Sequence, residues 1–230
     1  MAQANRVEDD DNAGMRLTNL PLPQLKARIL SRLDPLEPPD PDRPVGSDFD
    51  LNPDLEVPIA GLAAAAVLVP LVERDGVLSV LFTRRADQLR RHAGQISFPG
   101  GRCEAGETPW EAALREAQEE VGLDPAAVTP AGLSTPYRTI TGYHITPVVG
   151  FVRGDHGLTL NPAEVAEAFE VPFAYLMDPA NHERRHRDQP PGPPRWHYAI
   201  TWDGRLIWGA TAGMVRALYE RLENPDVGGS

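Results

Sequence analysis

The segment from Thr108 to Gly122, TPWEAALREAQEEVG, constrains the fold more than any other part of the chain, because it carries signals for both ends of one helix. Thr108 is a favourable N-cap, Pro109 suits the first helical position, and Glu111 completes a capping box. Gly122 is the residue type that commonly ends a helix in the left-handed conformation. The sequence therefore predicts a helix over Pro109 to Val121.

Three glutamates share one face of this helix. At about 100° per residue, Glu116, Glu119 and Glu120 fall within an arc of about 100°, beside an apolar face. Carboxylates so placed repel one another by a few tenths of a kcal/mol per pair. Arg115, four residues from both Glu111 and Glu119, is expected to offset part of this repulsion from the side away from Glu116 and Glu120. A divalent cation offsets it better, because Mg²⁺ binds carboxylate and phosphate oxygens.

The spacing around the helix resembles the Nudix box. Five residues separate Gly101 from Glu107, and seven more precede the run REAQEEVGL, which begins at Arg115. Every fixed position of the box is matched. The resemblance implies an α/β/α Nudix sandwich with a mixed β-sheet, and hydrolysis of a nucleoside diphosphate linked to another group.

The resemblance also implies roles for the matching residues. The cofactor would be Mg²⁺ or Mn²⁺, and Glu107 and Arg115 would be orienting partners. Glu116 and Glu120 would be catalytic. The implied metal ligands are Glu116, Glu119, Glu120 and the carbonyl of Gly100.

A second resemblance lies immediately upstream, in LFTRRADQLRRHAGQISFPGG, residues 81–101. The pattern LFTxRA, three residues, Arg90, three residues, Gly94, three residues and FPGG is similar to the signature of coenzyme A diphosphatases, except that leucine is commoner at Phe82. It implies cleavage of coenzyme A to 4′-phosphopantetheine and adenosine 3′,5′-bisphosphate, with Arg85 and Arg90 binding substrate phosphate. The alternatives are a Nudix hydrolase for NADH or ADP-ribose, or a non-catalytic module that senses a nucleotide.

The box does not identify a general base, because its three carboxylates are assigned to metal. The segment NPAEVAEAFEVP supplies two further acids, Glu164 and Glu167, in what is expected to be a loop. We favour Glu164 over Glu167 as the base, by similarity to the acidic residue that Nudix proteins often carry there. If neither serves, the role returns to Glu116 or needs no protein base.

The chain divides by composition into four parts. Residues 1–14 are polar and acidic and are expected to form a disordered tail. Residues 15–56 hold one short amphipathic helix around Leu25 and Ile29, followed by a proline-rich connector that should join neither helix nor sheet. The Nudix domain is expected to span residues 57–222, and residues 223–230 form a second tail.

Apolar runs and turn residues predict the remaining elements. Arg74-Asp75-Gly76 separates two apolar runs and indicates a β-hairpin. The irregular alternation of strands and helices favours a mixed sheet covered by helices on both sides. The segment Arg184 to Pro194 is polar and proline-rich and is expected to be a surface loop. Further strands are predicted near residues 95–98, 128–134, 144–152, 196–201 and 206–208, and a last helix at 211–222.

Composition excludes several functions. A formal net charge of −11 disfavours binding to nucleic acid or to anionic membranes. Cys103 is the only cysteine, so no intrachain disulfide can form, and a cytoplasmic location is expected. No apolar run is long enough to span a bilayer. The partner is expected to be a small-molecule substrate, and the sequence leaves open whether the chain forms a homodimer.

Overall fold

The computed structural model describes residues 16–37, 45–55, 61–89, 92–154 and 157–224. Within these residues, no helix is long and apolar enough to cross a membrane. The α-helices are α1 (Leu22–Arg32), α2 (Pro109–Val121), α3 (Phe173–Leu176) and α4 (Ala210–Glu223). The strands are β1 (Gly46–Ser47), β2 (Ala63–Arg74), β3 (Val77–Arg85), β4 (Ile96–Ser97), β5 (Gly100–Arg102), β6 (Val128–Leu133), β7 (Tyr137–Arg138), β8 (Tyr143–Arg153), β9 (Val165–Pro172), β10 (Glu183–Arg187), β11 (Arg195–Trp202) and β12 (Arg205–Trp208).

The larger sheet is built around a long parallel pair, β2 and β8. Beside β2 lie β3 and β5, and beside β8 lie β6 and β7, each antiparallel to its neighbour. Strands β4 and β9 extend the sheet beyond β3, and β1 extends it beyond β7. The combination of parallel and antiparallel pairs confirms the predicted mixed sheet.

Both faces of this sheet are buried, as the alternation along β2 shows. Ala66 and Leu68 belong to an apolar cluster that includes the inner face of α2. Val67 and Val69 belong to the cluster on the opposite face, which includes residues of α1, α4 and the smaller sheet. Successive side chains of a strand point to opposite faces, so one strand supplies both cores. The predicted α/β/α sandwich is confirmed.

Helix α2 and the β2–β3 hairpin form where the local signals predicted them. The Thr108 hydroxyl accepts a hydrogen bond from the Glu111 amide, and the Glu111 carboxylate accepts one from the Thr108 amide. Gly122 ends the helix with φ of 67°. The β2–β3 hairpin turns at Asp75-Gly76 and the β11–β12 hairpin at Asp203-Gly204, each pair with positive φ.

The N-terminal part of the chain packs on the rest more closely than predicted. Helix α1 forms where expected and buries Leu25 and Ile29. The expectation that the proline-rich connector joins no sheet was wrong, because β1 pairs in parallel with β7. Phe49, just after β1, is buried. The expected tail, residues 1–14, and the last six residues lie outside the described part of the chain.

A smaller antiparallel sheet has the order β10-β11-β12. The expectation that residues 184–194 form a loop was wrong for its first part, since Glu183–Arg187 forms β10 against β11. Its side chains are mostly exposed, which an edge strand tolerates because its backbone supplies the pairing. The expectation of a loop at Glu167 was also wrong, because Val165–Pro172 forms β9 along β3.

Candidate active site

Two glycines bring strand β5 against the acidic face of α2. A Cβ on Gly100 would lie 2.4 Å from the carbonyl oxygen of Ala66, and a Cβ on Gly101 would lie 2.5 Å from Oε1 of Glu116. Neither position has room for a side chain. Glycine at position 100 therefore lets β5 lie close to the β2 backbone, and glycine at position 101 lets it lie directly beside the Glu116 carboxylate.

Glu120 is the buried carboxylate of the site, with 3% of the residue exposed. Its Oε2 accepts a hydrogen bond of 3.3 Å from the amide of Gly100, and Nη1 of Arg85 lies 3.7 Å from its Oε1. Burial raises the pKa of Glu120 to about 7, although Arg85 and the Gly100 amide act in the opposite direction. A buried carboxylate with so little compensation is a favourable place for a cation.

Arg115 holds the other acidic side chains of the box. It donates to both carboxylate oxygens of Glu107, at 2.8 and 3.0 Å, and to Oε1 of Glu116 at 2.9 Å. It also donates to the carbonyl of Arg102 at 3.0 Å, and more weakly to Glu119 at 3.5 Å. The expectation that Arg115 lies away from Glu116 was wrong, because the long side chain reaches back to its neighbour. The network is an arrangement in which Glu107 and Arg115 can orient Glu116.

Glu164 lies near the box glutamates. Burial is the main cause of the raised pKa of Glu116, and the charge of Glu164 adds to it, as it does at Glu120. Oε1 of Glu164 accepts a hydrogen bond of 3.3 Å from the Asn161 side chain. The backbone N–H of Asn161 donates to the backbone carbonyl of Glu120 at 2.9 Å. These bonds tie the turn that carries Glu164 to the end of α2.

Glu167 lies away from the box glutamates and pairs with two arginines. Its Oε1 is 2.6 Å from Nη2 of Arg205, and its Oε2 is 3.4 Å from Nε of Arg84. The hydrogen bond from Arg205 is the main reason that the pKa of Glu167 is lowered. Of the two candidate bases, the structure brings only Glu164 toward the box glutamates.

A cavity of about 940 Å³ adjoins this site. Its lining includes Arg85 and the β5 residues next to the glutamates, and also residues of β11, β12 and the start of α4. Aromatic and cationic side chains both contribute to the lining. They include Tyr143, Trp196, Trp208, Arg102, Arg187 and Arg195.

Several arginines of the cavity have few partners within the described residues. The buried Nε of Arg85 finds no hydrogen-bond partner within the described residues. Arg187 and Arg195 form no ion pair within the same part of the chain, although the protein as a whole is acidic. Sequence reasoning missed Arg187 and Arg195, because nothing local shows that the β10–β11 hairpin folds toward the box. Arg90 lies outside the described residues.

Comparison with known proteins matches the chain to the NUDIX domain over residues 62–191. A relative from Escherichia coli O7:K1, named an uncharacterized Nudix hydrolase NudL, is 36% identical over 174 residues, which cover 73% of this chain and 87% of that protein. One from Yersinia pestis with the same name is 37% identical, over 69% of this chain and 79% of its own length. A solved Nudix hydrolase from M. smegmatis covers 69% of this chain and 84% of its own, at 21% identity and a TM-score of 0.45.

Two features are accordingly those of a Nudix enzyme. One is the mixed sheet with helices on both faces, and the other is the capped acidic helix α2 beside the glycines of β5. The chain belongs to the NUDIX domain family.

Proposed function

We propose that this enzyme hydrolyses the diphosphate bond of coenzyme A or a coenzyme A derivative, giving 4′-phosphopantetheine and adenosine 3′,5′-bisphosphate. The observation that carries the proposal is the cavity of about 940 Å³ beside the box carboxylates, lined by aromatic residues as well as arginines. Adenine and pantetheine favour aromatic and apolar surface, whereas the phosphates favour guanidinium groups. The coenzyme A signature in residues 81–101 agrees with this lining.

Mg²⁺ or Mn²⁺ is the cofactor that the donor set fits, with Glu116 and Glu120 as ligands and Glu119 and the Gly100 carbonyl as further candidates. Among the described residues, no three His, Cys, Asp or Glu side chains are close enough together to hold a metal. Mg²⁺ does not need such a group, because it keeps several waters and takes phosphate oxygens of the substrate as ligands. When bound, the cation would neutralise the diphosphate and make phosphorus more electrophilic.

The side chains of the chain supply binding and proton transfer. Arg85, which lines the cavity with 29% of its side chain exposed, would bind substrate phosphate, and Arg90 is proposed for the same role on the signature alone. Glu164 would accept a proton from the attacking water. The water oxygen would then bond to phosphorus as the bridging P–O bond breaks, and the bridging oxygen would leave with the bonding electrons as part of the other phosphate product. Arg115 and Glu107 would keep Glu116 in place.

The alternative substrates are NADH and ADP-ribose, and the alternative role is a nucleotide-sensing module without turnover. The complete set of box glutamates favours an enzyme over a sensor. The aromatic and apolar part of the cavity favours coenzyme A over substrates that lack pantetheine. A cytoplasmic location, in keeping with the single cysteine, is part of the proposal.

A substrate panel tests the proposal directly. Coenzyme A, NADH, ADP-ribose and nucleoside triphosphates are compared by kcat/KM with Mg²⁺ or Mn²⁺. We expect coenzyme A to give the highest value and excess chelator to abolish turnover. A higher value for NADH or ADP-ribose would refute the substrate assignment, and full turnover in chelator would refute the metal requirement.

The arginine assignment has its own test. Arg85→Ala should raise KM for coenzyme A by about tenfold or more, with a smaller effect on kcat, because a phosphate contact present in the ground state is lost. The matched control is Arg84→Ala, since Arg84 pairs with Asp87 and Glu167 instead. An unchanged KM in Arg85→Ala would contradict the assignment.

A further inference from the structure

Residues 45–55 precede the part of the chain that matches the NUDIX domain, yet they reach the substrate cavity. Both Asp48 and Asn52 line it. The segment is joined to the main sheet through β1, which pairs with β7. The pairing of β1 with β7 therefore fixes where this segment enters the cavity.

Asn52 pairs with a part of the β11 edge that no strand of the described residues covers. Its side-chain NH₂ donates to the carbonyl of Trp196 at 2.9 Å, and its side-chain oxygen accepts from the amide of Trp196 at 2.8 Å. Strand β12 pairs with β11 only from Ala199 onward, so it does not reach this residue. The side-chain amide of Asn52 thus makes the hydrogen bonds that a neighbouring strand would make, and it fixes the start of β11.

Asp48 ties the same segment to another wall of the cavity. Its Oδ1 accepts a hydrogen bond of 3.0 Å from the hydroxyl of Tyr137, and its Oδ2 accepts one of 3.0 Å from the amide of Ile140. Ile140 and Trp196 both line the cavity. One short segment therefore connects two of its walls, which belong to the β7–β8 turn and to β11.

We propose that Asn52 is a positioning residue, which holds Trp196 as the wall against which the organic part of the substrate binds, with Asp48 holding the facing turn. Trp196 is 38% exposed and also contacts His186, with ring centroids 4.8 Å apart. An aromatic face held in this way has lost its freedom before the substrate arrives, which favours binding. The inference rests on the proposed function in that it takes the cavity as the substrate site.

The test separates affinity from turnover. Asn52→Ala should raise KM for coenzyme A by at least about fivefold, because both backbone groups of Trp196 lose their partner, while kcat stays within about twofold. Asp48→Asn, which keeps the side-chain volume but leaves one donor without an acceptor, should act in the same direction. The control is Asp54→Ala, an exposed residue of the same segment that does not line the cavity.

Thermal unfolding of each variant distinguishes positioning from folding. If kcat of the Asn52 variant falls by the same factor as its KM rises, and its Tm is lowered, the role is merely structural and the proposal is overturned. An unchanged KM would also overturn it. If the wild-type protein prefers another panel substrate, the coenzyme A assignment falls, and KM for that substrate is measured in the same variants. Turnover of none of the panel compounds would overturn both proposals.

Discussion

The three glutamates on the acidic face of α2 have different surroundings in the folded chain. Their side chains are 4% exposed at Glu120, 17% at Glu116 and 55% at Glu119. Only the first two lie against the β5 glycines. Their charges are accordingly the ones we expect to matter most for activity.

Replacing either of these two carboxylates by an amide should abolish most turnover. Glu116→Gln or Glu120→Gln should lower kcat by at least ~10³-fold, because the site loses charge that holds the cation. Folding should survive, since the shape of the side chain is kept. The measurement is kcat at saturating Mg²⁺ beside thermal unfolding, with Glu104→Gln in the exposed box loop as control. Near-normal kcat in both variants would contradict the metal assignment.

The position of Glu164 makes the choice of base testable. Glu164→Gln should lower kcat by about 10²-fold or more and remove the acidic limb of the pH profile, because general-base catalysis contributes that much. Glu167→Gln should retain both, since Glu167 pairs with Arg205 away from the site. If both variants kept the wild-type kcat and acidic limb, neither residue would be the base.

Among the helices and strands, those specified by local signals were predictable and those specified by distant partners were not. Helix α2 was predicted at both ends because Thr108 and Glu111 act within its first turn and Gly122 acts at its last. Strand β9 was missed, because its polar residues are strand-like only once β3 lies alongside. The box motif likewise gave the glutamates, whereas Asn52 and Trp196 meet only through the tertiary fold.

The ion pairs of Glu167 tie β9 to β3 and β12, and their effect on stability should depend on pH. The pKa of Glu167 is lowered in the folded state, so its contribution is present above the unfolded value of 4.5 and is lost as the pH falls through the folded value. Because a third of the side chain is exposed, the contribution should be about 1 kcal/mol or less.

Thermal unfolding at two pH values checks this. Glu167→Gln should lower Tm at pH 7 and have little effect well below pH 4.5. The control is Glu104→Gln, at an exposed residue that forms no ion pair within the described part of the chain, and it should leave Tm unchanged. An equal loss of Tm by Glu167→Gln at both pH values would show that the ion pair is not its cause.

At the scale of the whole molecule, helix α1 packs into the same apolar core as the rest of the domain. Leu17, Leu25 and Ile29 are all at least nine-tenths buried, in the cluster that includes α4. Deleting residues 1–37 should therefore lower Tm by about 10 °C or more, because each buried side chain contributes about 1.5–3 kcal/mol. Deleting residues 1–14 alone should leave Tm and kcat unchanged. Equal Tm values for the two truncated proteins would show that α1 does not stabilise the domain.

The parallel ladder at the centre of the sheet also affects the order in which the site can assemble during folding. Ala63 pairs with Tyr143, 80 positions further along the chain. Closing so long a loop costs conformational entropy before the ladder repays it, so this step is expected to be slow. Strand β5 and helix α2 lie inside the loop and pack on β2, and can meet while it is still open. The carboxylates of the box would then gather early, whereas Glu164, which follows β8, would join them late.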